Sequence, residues 1–458
     1  MGQHRVIVVG AGPAGVRCAQ MLVQRGMRAI LVDENRRDGG QIFRRQPDSF
    51  GRSYGKLYGT EAPQARDMHD TFAKMRDSID YLPETLVWNI AGKRLHLACE
   101  GRAFTRDFDA LVLCTGATDR VMPVKGWERA GTYSIGAAQI ALKAQACSIG
   151  ASVVFLGSGP LLYLASSQYV EAGANVVAVL DTSAFSRRVR ALPKLLARFD
   201  LVRKGAGLVS FLKRAGVKVE TGVEPVEILG TDDAGVSGVR YRDAGGEVRE
   251  LACEAVAIGQ HLRPETQLAD LAGCRFAFDT ATRQWLPECD ELGRSSVKDV
   301  YLAGDGVRVL GADCAEVAGQ LAAAAVLGDL GYPIDAQGLG LLKQKRTRFE
   351  RFASGIAEAF PWPAEQITRV SDDTVVCRCE EIRAGELRRV VRDEGAREIN
   401  RAKAFSRVGM GRCQGRYCAH AAAEVIAGCA NVPVEQVGRQ RSQAPVKPLG
   451  IATRQEDA

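Results

Sequence analysis

The first thirty-three residues leave little freedom of fold. Arg5-Val6-Ile7-Val8-Val9 is a β-branched run of the kind that forms a buried parallel strand. It leads directly into Gly10-Ala11-Gly12-Pro13-Ala14-Gly15, a G-x-G-x-x-G sequence. A stretch of helical periodicity follows from Val16 to Arg25, with Val16, Ala19, Leu22 and Val23 on one face, and Gly26 ends it. A second strand, Arg28 to Val32, stops at Asp33 and Glu34. Strand, glycines, helix, strand and acid in this order form a dinucleotide-binding unit. Gly10 allows the tight turn, Gly12 lets backbone approach a pyrophosphate, and Gly15 lets helix and strand touch. Amides at the start of the helix face the phosphates. An acid at Asp33 suits ribose hydroxyls and disfavours a 2′-phosphate, so FAD or NAD is expected rather than NADP.

A second unit follows the same plan with one change. Ser152 to Leu156 reads as a strand, Gly157-Ser158-Gly159-Pro160-Leu161-Leu162 as its turn, and a helix runs to about Ala172. A further strand, Val176 to Leu180, ends at Asp181. Leu162 stands where the third glycine belongs. A side chain there is expected to force helix and strand apart or to shift the phosphate loop. Nicotinamide binding and a purely structural role are therefore both open for this unit, and NAD is left uncertain.

Near the C-terminus stand Cys377-Arg378-Cys379 and Cys413-Gln414-Gly415-Arg416-Tyr417-Cys418, with thirty-three residues between the pairs. Four thiolates suit an iron–sulfur cluster or zinc. Structural zinc more often uses C-x2-C knuckles, which both pairs lack, so a [2Fe-2S] cluster is favoured. Gly409, Gly411 and Gly415 fit a loop that wraps closely around an inorganic core. The other nine cysteines are scattered and read as small buried residues.

Several classes are disfavoured. Of 458 residues 25% are charged, with net charge +7, and the basic stretches Arg44-Arg45 and Arg187-Arg188-Val189-Arg190 read as solvated faces. Without interleaved aromatics they do not indicate nucleic-acid binding. The most apolar stretch, Val153 to Ala165, is broken by Gly157, Gly159 and Pro160 and is too short for a bilayer. No leader pattern is visible, and a cytoplasmic location is expected. After Gly40 the chain reads Gln41-Ile42-Phe43-Arg44-Arg45-Gln46, without cysteine, and the second unit has no C-x-x-C. A thiol–disulfide reductase is disfavoured. His4, His69, His96 and His261 read as surface or core residues, and no general base can be nominated, so the catalytic residues are unknown at this stage.

Three more segments carry a family resemblance: Gly39-Gly40-Gln41 after Asp33, the strand Ala110 to Cys114 ending in Thr115-Gly116-Ala117, and Val300-Tyr301-Leu302-Ala303-Gly304-Asp305-Gly306. They are similar to the two-dinucleotide-binding-domain flavoproteins, whose fold is glutathione-reductase-like. The resemblance implies FAD in the first cradle, with Gly10, Gly12, Pro13, Ala14, Gly15, Asp33, Glu34, Gly40, Gln41, Thr115, Gly116, Gly304 and Asp305 around it. In that family the aspartate of the last motif accepts from the ribityl chain; a plain turn role for Asp305 is the alternative.

Val376-Cys377-Arg378-Cys379-Glu380 and Gly409-Met410-Gly411-Arg412-Cys413 onward resemble a bacterioferritin-associated-ferredoxin (BFD) [2Fe-2S] module. Behind an FAD module, this is similar to the α subunit of heteromeric amine dehydrogenases, which include opine oxidases, D-hydroxyproline dehydrogenase and hydrogen cyanide synthase. Thr115-Gly116-Ala117-Thr118-Asp119-Arg120, Gly126-Trp127, Gly136-Ala137-Ala138-Gln139 and the Leu162 turn match too. One departure is Glu128-Arg129-Ala130-Gly131, where relatives carry a proline-rich turn. The resemblance implies that an amine is oxidised on a glycine- or sarcosine-oxidase-like β flavoprotein subunit, in some members with an FMN between subunits and a small γ subunit. Electrons would then pass through Cys377, Cys379, Cys413 and Cys418 and the FAD to a downstream acceptor. A stand-alone NADH-dependent acceptor reductase is the alternative enzyme, and a cluster-based redox or iron sensor the non-enzymatic one. The expected fold class is α/β, with two Rossmann-like domains and a small α-rich cluster domain. The expected divisions are 1–125 and 266–340 for the FAD domain, 126–265 for the second unit, 341–370 for a helical linker, 371–430 for the cluster domain, and 431–458 for a tail that either wraps a partner or is disordered.

Overall fold

The computed structural model describes residues 4–455. Two five-stranded parallel sheets organise the chain. In the first, the order is Val300–Leu302, Ala110–Leu113, Val6–Val9, Ile30–Val32, Asp80–Leu82. The central strand Val6–Val9 is buried at every residue, which its continuous β-branched run requires of a strand covered on both faces. Helix Pro13–Gln24 covers one face and packs against Ala312–Asp329. That contact is close because Gly319 faces Ala14: a Cβ on Gly319 would lie 2.0 Å from the Ala14 carbonyl oxygen. An antiparallel meander, Leu86–Ala91, Arg94–Cys99 and Arg102–Asp107, completes this domain, and sequence patterning had given no sign of it.

The second sheet runs Lys218–Thr221, Asn175–Asp181, Ser152–Ser158, Ala255–Gln260, Thr132–Ser134. Leu162 does not pry this unit open. Helix Pro160–Glu171 starts directly after Gly159, and Leu162 is fully buried in a core with Phe155 and Val179. It fills the apolar layer between that helix and the sheet. The Glu128–Gly131 departure is seated on the strand Glu224–Thr231, where Arg129 donates to the Ile228 carbonyl.

The helix anticipated from about residue 341 begins earlier, at Ala336, because Asp335 caps it by accepting from the Gln337 and Gly338 amides at 3.1 and 3.0 Å. The cluster domain contains the strand Val375–Cys377 and helices Ala384–Asp393, Ile399–Ser406 and Ala419–Ala430. Helix Ala384–Asp393 buries Ala384, Leu387, Val390 and Val391, a 3–4 spacing, against the last helix. The described part of the tail is not loose. It lies on the body of the molecule, with Val446 buried in the core of the first domain.

Candidate redox site and its relatives

The first cradle has the geometry its glycines were expected to provide. Gly10 has φ +105°, and a Cβ there would stand 2.3 Å from the Cys114 carbonyl oxygen. A Cβ on Gly15 would stand 1.7 Å from the Gly10 carbonyl oxygen, so the helix can approach the strand only without one. Pro13 is the first helical residue, where its missing N–H costs nothing. The helix carries no acidic residue in its first turn, so its amide end remains attractive to a diphosphate. Gly40 closes over Gly12: a Cβ on Gly40 would meet the Gly12 Cα at 2.9 Å.

Asp33 is nearly buried, and its carboxylate is already engaged. Oδ2 accepts the Ala11 amide at 2.6 Å; Oδ1 accepts the Asn35 backbone and side-chain N–H at 2.6 and 2.9 Å. Burial raises its pKa, and these amides partly oppose the rise. Its role here is to brace the phosphate turn, while Glu34 beside it forms an ion pair with Lys447. Gln41 is exposed and accepts from Arg44 at 2.8 Å. Asp305 uses Oδ1 to accept the Leu310 and Gly311 amides at 2.9 and 3.1 Å, which leaves Oδ2 for a ligand. Ala14 packs under Gly304, and Thr115 under Gly306. The structure thus brings the residues anticipated around FAD to one edge of the first sheet.

The four cysteines converge as well. All thirteen cysteines are free of disulfides. Hydrogen bonds from Cys418 hold the Cys377 thiol down to about 6 and the Cys413 thiol down to about 5, while Cys418 is pushed well up. The Gly409 and Glu380 amides point at the Cys377 sulfur, and the Tyr417 and Gly415 amides at Cys413. Gly411 abuts Cys379, where a Cβ would come within 2.3 Å of the cysteine Cβ. Four sulfurs this close cannot all ionise without a positive core between them, and the amides are placed to support such charge. Among the described residues, no group of three or more His, Cys, Asp or Glu side chains is arranged to hold a single metal ion.

One residue connects the two sites. The Glu265 amide donates to the Gly116 carbonyl at 2.9 Å, and its own carbonyl accepts the Thr115 hydroxyl at 2.6 Å. Its carboxylate accepts from Arg416 at 2.8 Å, inside the Cys413–Cys418 loop. Gln267 donates to the Gln414 carbonyl at 2.7 Å and Arg263 to the Arg416 carbonyl at 3.0 Å. Trp127, on the second unit, donates to the Val375 carbonyl at 2.6 Å and fixes the strand that delivers Cys377. Sequence motifs had marked Arg416 and Trp127, but nothing had marked Glu265, Gln267 or Arg263.

A family model described as pyridine nucleotide-disulphide oxidoreductase matches residues 4–326. A second, described as BFD-like [2Fe-2S] binding domain, matches 375–428. An opine oxidase subunit from Rhizobium meliloti is 37% identical over 98% of this chain and 86% of its own. The chain belongs to this family of FAD- and [2Fe-2S]-containing oxidoreductase subunits. Hydrogen cyanide synthase subunit HcnB of Pseudomonas aeruginosa is 29% identical over 90% of each chain. The solved L-proline dehydrogenase from P. horikoshii has the same fold, with a TM-score of 0.71 at 18% identity over 98% of this chain and 79% of its own. FAD and a [2Fe-2S] cluster are the cofactors of the family, and the two cradles fit them.

Other groups in the family's redox neighbourhood are quiet. Cys18 and Cys114, the thiols nearest the FAD cradle, are buried, and burial pushes Cys114 up to about 12, so they do not form an exposed redox pair. His69 donates from Nε2 to the Phe43 carbonyl and accepts at Nδ1 from the Tyr54 hydroxyl, both at 2.8 Å, and burial pushes it down to about 4. In the second unit Asp181 is fully buried and accepts from the Tyr163 hydroxyl at 2.7 Å, Arg188 at 2.5 Å and the Ser183 amide at 2.7 Å. Asp181 stands at the end of the unit's second strand, as Asp33 does in the first, and like Asp33 it is engaged through both oxygens. Among the described residues no helix is long and apolar enough to cross a membrane.

Proposed function

We propose that this chain is the electron-transfer subunit of a heteromeric dehydrogenase that oxidises a secondary amine or amino acid, an opine or D-hydroxyproline for example, on a partner β flavoprotein subunit. FAD exchanges electrons in pairs or singly, and a [2Fe-2S] cluster singly. The observation that carries the reading is the Glu265 bridge, which ties the cluster loop to the Thr115–Gly116 turn at the FAD edge. One support is independent of it. A line of exposed apolar residues, Phe185, Val189, Leu192, Leu196 and Phe199, crosses the second unit, with both phenylalanines 62% exposed. Patches of that kind mark interaction surfaces.

The test is to purify the chain alone and with a glycine-oxidase-like flavoprotein encoded beside it. Under the proposal, flavin and cluster absorbance are present in both preparations, and opines or hydroxyproline bleach them only in the complex. Full amine turnover by the isolated chain would defeat the proposal. Rapid bleaching by NADH alone would favour a stand-alone acceptor reductase.

A further inference from the structure

The tail follows a path that neither the motifs nor the family assignment accounts for. Arg439 makes two bonds to Asp270, at 2.6 and 2.7 Å, and the Ser442 amide adds a third to the same carboxylate at 2.7 Å. The chain then crosses from the cluster domain to the first domain. The Val446 amide donates to the Trp88 carbonyl at 3.1 Å, and its side chain, 3% exposed, enters the core that also holds Val9 and Val32. Its carbonyl accepts from Arg416 at 2.8 Å. The next residue, Lys447, pairs with Glu34.

Each of these partners is tied to the first domain. Glu34 follows Asp33 at the end of the second strand, the position that faces the ribose in a dinucleotide cradle. Trp88 lies on the strand that follows the last strand of the same sheet. Arg416 reaches Thr115 and Gly116 through Glu265. An ammonium has three N–H donors, and Glu34 uses one. Two remain for the hydroxyls or diphosphate of a nucleotide held at this edge.

We propose that the tail is a strap across the adenosine end of the FAD site, with Val446 as its anchor and Lys447 as its clasp, and that the strap retains the cofactor. The inference rests on the assignment of FAD to the first cradle. FAD leaves only when the strap lifts. Arg416 keeps its bonds to Glu265 and the Cys413 carbonyl when the strap lifts, so the cluster loop stays in place.

The test measures FAD release from the FAD- and cluster-containing protein, as the growth of free-flavin fluorescence after dilution. Lys447→Ala is expected to speed release about two- to fivefold, the size of one half-exposed ion pair, with less effect at high salt. Lys447→Arg restores the slow rate. Truncation after Gln443 removes the buried anchor as well and speeds release at least tenfold, while cluster absorbance reports that the cluster domain is intact. Wild-type release from a truncated protein with full cluster absorbance overturns the proposal. A truncated protein that does not fold hands the decision to the full-length chain: saturating FAD slows tryptic cleavage after Arg441, the exposed site just before the strap, at least fivefold, and an unchanged cleavage rate overturns the proposal. A wild-type chain that holds no FAD at all would instead defeat the functional reading.

Discussion

Replacing Glu265 tests whether the cluster loop is held to the flavin domain by charge. The pair with Arg416 is largely shielded, with side-chain exposures of 17% and 11%. Burial alone would raise the Glu265 pKa, but Arg416 and Arg263 reverse this and leave it lowered, so the carboxylate is charged at neutral pH. Removing one member of a buried pair costs about 3–5 kcal/mol. Here Arg416 keeps the Cys413 and Val446 carbonyls at 3.2 and 2.8 Å, which offsets part of the loss. We therefore expect Glu265→Gln to cost about 2–3 kcal/mol, or about 30- to 150-fold in the equilibrium between docked and released cluster domain. Urea titration followed by the visible absorbance of the cluster measures this. The decisive comparison adds Arg416→Met and the double variant. A direct interaction gives a coupling of about 1–3 kcal/mol. Single-variant costs that simply add, within about 0.5 kcal/mol, would show that Glu265 acts only through its backbone bonds to Thr115 and Gly116, and the bridge would be refuted.

Four further outcomes are expected. Gly15→Ala forces a Cβ into the Gly10 carbonyl and should abolish FAD binding while leaving cluster absorbance in place, as absorbance spectra of the purified variant would show. Cys418→Ser should do the reverse, removing the visible and paramagnetic signature of the cluster with FAD retained. Arg439 and the Ser442 amide hold Asp270 below its ordinary value against the upward push of burial. A lowered folded-state pKa gives stability that is present above the unfolded value, about 3.9, and is lost as pH falls through the folded one. Proteolysis of the tail should therefore rise below about pH 4, and Asp270→Asn should remove that dependence. Val189→Glu with Phe199→Glu should prevent co-purification with the proposed β flavoprotein subunit without changing FAD or cluster content, because both side chains are exposed.

What could be read in the sequence was chemistry that acts over a few residues. Gly10, Gly12 and Gly15 are legible because a tight turn and a close approach exclude Cβ locally, wherever the rest of the chain goes. The cysteine pairs are legible because the C-x-C and C-x4-C spacings bring sulfurs together within one loop each. The surroundings of Leu162 were hidden for a complementary reason. Whether a side chain wedges or fills depends on the layer beneath it, here Phe155 and Val179, which no turn motif describes. Asp33 was legible as an acid at the right place, but not as one already taken by Ala11 and Asn35. Glu265, Gln267 and Arg263 were invisible because each acts on a residue about 150 positions away. The tail was invisible because a low-periodicity segment with a single buried valine looks the same whether it lies on the body or hangs free.

The second Rossmann unit has a clear mechanical use without any nucleotide. Its Trp127 holds Val375, two residues before Cys377, and its last short strand, Leu262–Pro264, pairs with Ala117–Asp119 of the first domain. Glu265 follows that strand directly. The unit therefore stands between two redox sites and touches the loop of each. A hinge there would change the distance between them, and single-electron transfer falls steeply with distance. Asp181, the acid at the end of the unit's second strand, is held by Tyr163 and Arg188. The unit thus spaces the two sites through Trp127 and the pairing of Leu262–Pro264 with Ala117–Asp119.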